Sequence, residues 1–231
     1  MVITLSRETE AGGDEIASLL SERGGLRCAD RTLIEEIARR EGIPMTAFAL
    51  FDTLLSAPVE AVLAGFGTPV NRAAYLKRMV RTLLMLEHED DVVLIGRGAA
   101  FVLADPGTLH VRVVAPIPCR VARLIEREGV HPAQARRVLA AGDDARARFV
   151  RESFGAEVAD PTHYDLTLST AEISASDAAD VILLAARKKA VRRSVTHEIG
   201  GALLAHAMGP RGQVRPRASG TLWREARGRS V

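Results

Sequence analysis

The sequence predicts a three-layer α/β fold with a mostly parallel central sheet. Short aliphatic runs that do not alternate with polar residues, typical of strands buried on both faces, occur at intervals along the chain. Amphipathic helical segments separate these runs, and glycine-containing turns follow two of them. The 231 residues are 47% hydrophobic and 26% charged, which excludes a disordered or fibrous chain and favours one domain with additional segments.

The first part of the chain predicts the opening of a βαβ unit. Val2–Ser6 is a β-branched and aliphatic run, which favours a strand, and a glycine-containing turn follows it. In Asp14–Arg23 the apolar residues recur at the spacing of a helix. Arg27–Ala29 predicts a short second strand, and Asp30 precedes an apolar-periodic segment as a helix N-cap would.

The middle of the chain alternates helical segments with buried strands. Pro44–Ser56 is predicted as a helix, and Ala57–Val70, with two prolines and two glycines, as a mobile connection. Arg72–Glu89 has apolar residues at helical spacing and predicts a long helix. Val92–Ile95 is an apolar run closed by glycines, which is typical of a buried parallel strand, and Thr108–Ala115 predicts the next strand.

The last part of the chain predicts helical regions around one more strand. Pro118–Arg127 has a proline near its first turn, where a helix tolerates it. Pro132–Arg151 is a highly charged helical region that we expect Gly142 to divide into two helices. Leu166–Ser169 predicts the last strand and Ser176–Ser194 the last long helix.

Positive charge is concentrated at the end of the chain. The net charge of +2 does not by itself favour a nucleic acid or an anionic membrane as partner. Gly209–Val231, however, holds six arginines and one glutamate and has no apolar periodicity, which predicts a disordered segment. Such a tail would be able to contact RNA or DNA phosphates, but a solvated terminus is the favoured interpretation, and no other nucleic-acid contact is predicted.

The sequence also limits where the protein is expected to act. No apolar stretch reaches the roughly 18 residues of a membrane-spanning helix, and no segment resembles an export signal. Cys28 and Cys119 permit one disulfide at most and lack the spacing of metal ligands. These observations predict a cytoplasmic protein with no membrane partner.

The turn after the first strand is a candidate phosphate-binding loop. Backbone N–H groups and the dipole of the following helix would both point at an anion there. Laid on the P-loop pattern GxxxxGK[ST], Arg7 takes the position of the first glycine, Gly13 that of the lysine and Asp14 that of Ser/Thr. The residues alone support a phosphate loop and an ordinary glycine turn equally.

Acidic residues in this loop oppose the binding of a bare triphosphate. Glu8, Glu10, Asp14 and Glu15 lie within eight positions of one another. Two like charges about 4 Å apart repel by roughly 4 kcal/mol at an effective dielectric constant of about 20. Mg²⁺, or side chains turned away from the loop, would remove this penalty.

Several segments, in this order from Val2 to about Arg192, resemble the cytidylate kinase-like family, a branch of the P-loop nucleoside monophosphate kinases. They are Ile3–Glu8, Ala11–Ala17, Ala29–Ala38, Leu94–Leu103, Leu109–Pro116, Arg120–Leu124, Asp143–Gly155 and Asp160–Ser174. Members of this branch often carry a glycine pair in place of the P-loop lysine, so Gly13 fits the pattern. Glu10 departs from it, because the branch more often has a small residue there.

The resemblance implies a three-layer P-loop kinase fold with a helical, arginine-rich lid over about residues 130–160. The kinase-like domain would occupy residues 1–195, and 196–231 would form a C-terminal extension. The implied reaction is phosphoryl transfer from ATP, with Mg²⁺, to a nucleoside monophosphate, with CMP as the favoured acceptor. A nucleotide-binding sensor with little or no catalytic activity is the alternative.

The resemblance also implies roles for individual residues. Arg97 would bind the acceptor phosphate and, with Arg148 and Arg151 of the lid, supply the positive charge that phosphoryl transfer requires. The ATP phosphates would be wrapped by Arg7, Glu8, Thr9, Glu10, Ala11, Gly12, Gly13 and Asp14. The substrate-binding positions would be Asp30, Arg97, Asp144 and Asp165. No residue is assigned as a metal ligand.

Each of these roles has a structural alternative. Arg97 would otherwise be a solvent-facing loop residue, although its two flanking glycines favour a close backbone approach. Asp30 is equally well explained as a helix N-cap. Asp144 and Arg148 have the spacing of an ion pair on an exposed helix, which explains any single lid arginine without a ligand.

Overall fold

The computed structural model describes residues 1–30, 72–89 and 91–207. The strands are β1 (Val2–Arg7), β2 (Arg27–Ala29), β3 (Val92–Ile95), β4 (Leu109–Val114) and β5 (Leu166–Ser169). The helices are α1 (Gly13–Gly24), α2 (Arg72–Glu89), α3 (Ala99–Val102), α4 (Ile117–Glu128), α5 (Pro132–Phe154) and α6 (Ala175–Ala207). The predicted helices after Asp30 and over Pro44–Ser56, the connection Ala57–Val70 and the basic tail lie outside the described residues.

All five strands run parallel in one sheet of order β2-β3-β1-β4-β5. β1 occupies the centre, with Leu5 beside Ile95 of β3 on one side and beside Val111 of β4 on the other. The central strands are buried on both faces, which explains why their sequences are uniformly aliphatic. The predicted three-layer α/β fold with a mostly parallel sheet is confirmed.

Successive residues of β1 supply the two halves of the core, because side chains of a strand alternate between its faces. Ile3 and Leu5 pack in one cluster with Ile16 of α1 and Ile182 of α6. Val2 packs in a second cluster on the other side, with residues of α2 and α3. Helix α1 and the part of α6 before Arg192 therefore cover one face of the sheet, and α2 and α3 cover the other.

Helix α5 is continuous, so the predicted division at Gly142 is wrong. The helix begins at Pro132 after an N-cap at His131 and ends at Phe154 before Gly155. Gly142 lies in its middle because Thr9 packs against it: a Cβ added to Gly142 would lie 2.6 Å from the Thr9 Oγ1 atom. The glycine therefore marks a close contact between α5 and the first loop rather than a helix break.

The chain divides into two units, Met1–Val191 and Arg192–Val231. The sheet and the packed helices belong to the first unit, and the described backbone of the second is helical as far as Ala207. The domain boundary at residue 195 stays a prediction. Among the described residues, no helix has the length and the hydropathy that crossing a membrane would require.

Candidate functional site

The first loop leads from the end of β1 into the N-terminus of α1. Gly12 is the N-cap of α1, with a left-handed backbone, and has no side chain with which to cap the helix. The N–H groups of Gly13, Asp14 and Glu15 fall in the first turn, where an α-helix provides no acceptor of its own. A set of backbone donors with the positive end of the helix dipole therefore lies at the start of α1.

Three consecutive carbonyl oxygens of this loop are held by side chains of neighbouring elements. The bonds join Thr9 O to Arg120 Nη1 at 3.2 Å, Glu10 O to Arg123 Nη1 at 3.2 Å, and Ala11 O to Thr170 Oγ1 at 2.8 Å. In a trans peptide the N–H points away from the preceding carbonyl. The N–H of Gly12 is therefore directed away from Thr170. The three side chains hold the loop on the side of its carbonyl oxygens.

Three carboxylates of the loop region are each paired with arginine. The ion pairs join Glu8 to Arg112 at 3.7 Å and to Arg120 at 3.6 Å, Glu10 to Arg127 at 2.9 Å, and Asp14 to Arg7 at 3.0 Å. Glu8 also accepts a hydrogen bond from the backbone N–H of Ala115 at 3.2 Å. Because guanidinium groups neutralise these acids, the repulsion expected from the sequence is largely offset within the site.

Asp143 of α5 ties the loop to the helix that resembles a lid. Its carboxylate accepts hydrogen bonds from the backbone N–H and the hydroxyl of Thr9, both at 2.9 Å, and from Arg120 Nη1 at 2.5 Å. Arg146, one turn further along α5, donates to the Thr9 hydroxyl. Burial alone would raise the pKa of Asp143, but these hydrogen bonds outweigh it and hold the pKa below its usual value.

We expect the contribution of Asp143 to stability to disappear at acidic pH. A carboxyl with a lowered pKa in the folded state stabilises the fold above its unfolded pKa, about 4, and loses that effect as the pH falls through the folded value. At pH 7, Asp143→Asn should lower the free energy of unfolding by about 1–3 kcal/mol. Urea unfolding of both proteins between pH 7 and pH 3 checks this, and a difference that stays constant with pH would contradict it.

The second loop follows β3 and has an unusual backbone. Gly96, Arg97 and Gly98 all have left-handed backbones, with φ of 70°, 54° and 71°. A non-glycine residue in this region is strained by about 1–2 kcal/mol. Arg97 is one of three such residues in the described part of the chain, and Glu10 of the first loop is another. Strain of this kind collects at ligand-binding sites, which favours a functional role for both loops.

The two loops lie next to each other at the carboxyl ends of β1 and β3, and we call the space between them the crevice. β1 and β3 are neighbours, but the chain after β1 leads to α1 on one face and the chain after β3 leads to α3 on the other. Ligands of parallel sheets bind at such a point, outside the carboxyl ends of the strands. Arg7 joins the loops directly, since its Nη1 atom would lie 2.8 Å from a Cβ placed on Gly96.

Of the other predicted substrate and lid residues, one follows β2 and three lie on α5. Asp30 directly follows β2 and is half-buried. Asp144 and Arg148 are exposed on α5. Arg151 forms a two-point ion pair with Glu157, with N···O distances of 2.7 and 2.9 Å, and this pair raises the pKa of Arg151 and lowers that of Glu157.

Asp165 lies at the amino ends of the strands, opposite to the carboxyl ends where the two loops lie. It directly precedes β5, accepts a hydrogen bond from the backbone N–H of His110 at 2.8 Å, and pairs with Lys189 at 2.5 Å. His110 is the second residue of β4, so these contacts lie where parallel strands begin. The structure therefore does not bring Asp165 to the loops, and its carboxylate joins the start of the sheet to α6.

The sequence interpretation missed the arginines that support the first loop. They lie on β4 and α4 and are Arg112, Arg120, Arg123 and Arg127. Arg120 is only 6% exposed in its side chain, and such burial of a charged group requires partners. The signal available in the sequence was the spacing of Arg120, Arg123 and Arg127, which places three arginines on one side of a predicted helix.

Comparisons with known proteins point to the same family as the motifs. The family model described as "Cytidylate kinase-like family" matches residues 2–172. A cytidylate kinase of Desulfurococcus amylolyticus is 24% identical over 184 residues, which cover 78% of this chain and 89% of the relative. A cytidylate kinase of Methanopyrus kandleri is 32% identical over 103 residues, covering 41% of this chain; the match spans about half of the relative, 53%.

The fold is also found in a solved structure. An uncharacterized protein from Eubacterium ventriosum superposes with a TM-score of 0.62 at 19% sequence identity, covering 81% of this chain and 98% of that chain. At this identity the likeness concerns the fold alone. The family match, by contrast, extends from the first strand through both loops and the supporting arginines. The chain belongs to the cytidylate kinase-like family.

Proposed function

We propose that this protein transfers the γ-phosphoryl group of ATP to a nucleoside monophosphate, with CMP as the acceptor. The observation that carries the proposal is the first loop, whose carbonyl oxygens are held from behind by Arg120, Arg123 and Thr170. This arrangement leaves backbone N–H groups at the start of α1 to bind the phosphates. Membership of the family and the names of the two relatives support nucleotide phosphorylation, and they favour CMP among acceptors.

In the proposed reaction an oxygen of the acceptor phosphate attacks the γ-phosphorus in line. A new P–O bond forms, the bond to the bridging β-phosphate oxygen breaks, and ADP leaves. The protein's task is to position the two nucleotides and to stabilise negative charge on the transferred group. The loop N–H groups and Arg7 would hold the donor phosphates, Arg97 the acceptor phosphate, and Arg148 and Arg151 would supply charge from α5.

The acids of the loop fit Mg²⁺ because they include an exposed carboxylate at the start of α1. This ion takes most of its ligands from phosphates and water and needs only one or two protein carboxylates. Asp14, whose side chain is 78% exposed in the first turn of α1, is the carboxylate that would hold it. When bound, the ion would neutralise charge on the donor phosphates.

A cytoplasmic location and small-molecule nucleotides as partners are part of the same proposal.

The test is a coupled assay of the purified protein with ATP, Mg²⁺ and a panel of CMP, dCMP, UMP, AMP and GMP. We expect turnover with CMP to exceed that with the purine monophosphates by at least tenfold in kcat/KM. Isothermal titration with MgATP is run beside it. Binding of ATP without turnover of any acceptor would favour the sensor alternative, and no association with ATP would overturn both functions.

A further inference from the structure

We propose that Arg7 is the cation of the phosphate-binding loop, in place of the lysine that a GxxxxGK[ST] loop carries at the position of Gly13. This inference rests on the proposed function and specifies which side chain of the loop binds the triphosphate. It follows from three observations on one side chain: the path of its aliphatic part, the position of its guanidinium group, and the partner that this group now has.

The aliphatic part of Arg7 occupies the space that a side chain at position 13 would need. A Cβ added to Gly13 would lie 2.7 Å from Arg7 Cβ and 2.8 Å from Arg7 Cγ, closer than Cβ atoms approach in proteins. The backbone of Gly13 is not left-handed, so a side chain is excluded there by this contact rather than by conformation. The absence of the lysine and the path of Arg7 are therefore one structural feature.

The guanidinium group of Arg7 lies in the crevice between the two loops. Its Nη1 atom packs against Gly96, at the carboxyl end of β3. On the other side, its Nε and Nη2 atoms lie 3.1 and 3.0 Å from the Asp14 carboxylate in the first turn of α1. A planar group with several donors thus faces the N-terminus of α1, where backbone N–H groups would bind the same phosphates.

The present partner of Arg7 is one that a phosphate would replace at little cost. The Asp14 side chain is largely exposed, and exposed ion pairs contribute little to stability because water and salt screen them. A triphosphate carries more charge and offers a two-point acceptor for guanidinium. Arg7 would therefore exchange Asp14 for phosphate oxygens when ATP binds, and Asp14 would become available to Mg²⁺.

The experiment moves the cation from one position to the other. MgATP affinity by isothermal titration and the melting temperature are measured for wild type and for four variants: Arg7→Gln, Arg7→Gly, Gly13→Lys, and the swap Arg7→Gly/Gly13→Lys, which restores the GxxxxGK spacing. Arg23→Gln is the matched control, because Arg23 also pairs with an exposed aspartate, Asp180, at 2.8 Å, on α6 and away from the loops. CMP turnover is recorded for the same set.

We expect Arg7→Gln to bind MgATP about 10- to 100-fold more weakly than wild type, as the loss of a charged hydrogen bond predicts. Arg23→Gln should stay within twofold of wild type. Gly13→Lys alone should lower the melting temperature, because it clashes with Arg7, whereas the swap should be tolerated and bind MgATP at least tenfold more tightly than Arg7→Gly. The role of Arg7 is overturned if Arg7→Gln matches the Arg23→Gln control or if the swap binds no better than Arg7→Gly. Wild type that does not bind MgATP overturns the proposed function itself, and this inference with it.

Discussion

Replacing Arg120 with methionine is expected to lower the free energy of unfolding by about 3 kcal/mol. The guanidinium group is buried between two carboxylates, 2.5 Å from Asp143 and 3.6 Å from Glu8, and it also donates to the carbonyl oxygens of Thr9 and Ala115. Methionine fills a similar volume but leaves both acids without this partner. The value lies at the lower end of the usual 3–5 kcal/mol for a buried ion pair, because the two acids stay partly exposed.

Urea unfolding followed by circular dichroism measures this loss. The control is Arg151→Met, where the arginine side chain is 60% exposed and pairs with Glu157, which is 58% exposed. The control should change the free energy of unfolding by less than about 1 kcal/mol. If both variants lose the same amount, the buried network around Arg120 does not hold the first loop in the way described.

Replacing Arg97 is expected to reduce kcat/KM for the acceptor about thirtyfold, through loss of a charged hydrogen bond worth about 2 kcal/mol. Two variants separate the side chain from the backbone. Arg97→Ala removes the guanidinium and keeps the strained left-handed residue, whereas Arg97→Gly removes the guanidinium and relieves the strain. Both should lose activity to the same extent, but Arg97→Gly should be the more stable of the two.

The same coupled assay and a thermal melt check this expectation, with MgATP affinity as the internal control. Affinity for MgATP should stay within about threefold of wild type, because Arg97 is assigned to the acceptor rather than to the donor. Arg97→Gly with the kcat/KM of wild type would contradict the assignment. Loss of MgATP binding in both variants would instead place the guanidinium on the donor side of the crevice.

The architecture could be predicted from the sequence because it is recorded locally. The uniformly aliphatic Val92–Ile95 is typical of a buried strand, and the helix predicted over Arg72–Glu89 has the same bounds as α2. The predicted division of α5 at Gly142 was wrong. Helix propensity depends on neighbouring residues only, and Thr9, which packs against Gly142, is distant in the sequence. Tertiary contact decided against local propensity.

The site could be predicted only in part, for the same reason. The glycine-containing loop and Arg97 follow strands, so their common edge could be inferred from the fold class. The partners that neutralise the loop acids could not, since Thr9 meets Asp143 across 134 residues of sequence and Arg120 across 111. The role of Asp165 in binding substrate stays a prediction, because the matching motif identifies the residue but does not show that it lies where β4 and β5 begin.

The contact between Gly98 and Phe154 has a mechanical consequence. The aromatic ring of the last residue of α5 occupies the place of the missing side chain, so that an added Cβ would lie 2.2 Å from it, and the ring stacks on Phe101 at a centroid distance of 5.8 Å. The turn that carries Arg97 and the C-terminal end of α5 are thus packed directly against each other. We therefore expect a displacement of either segment to shift the other through that ring.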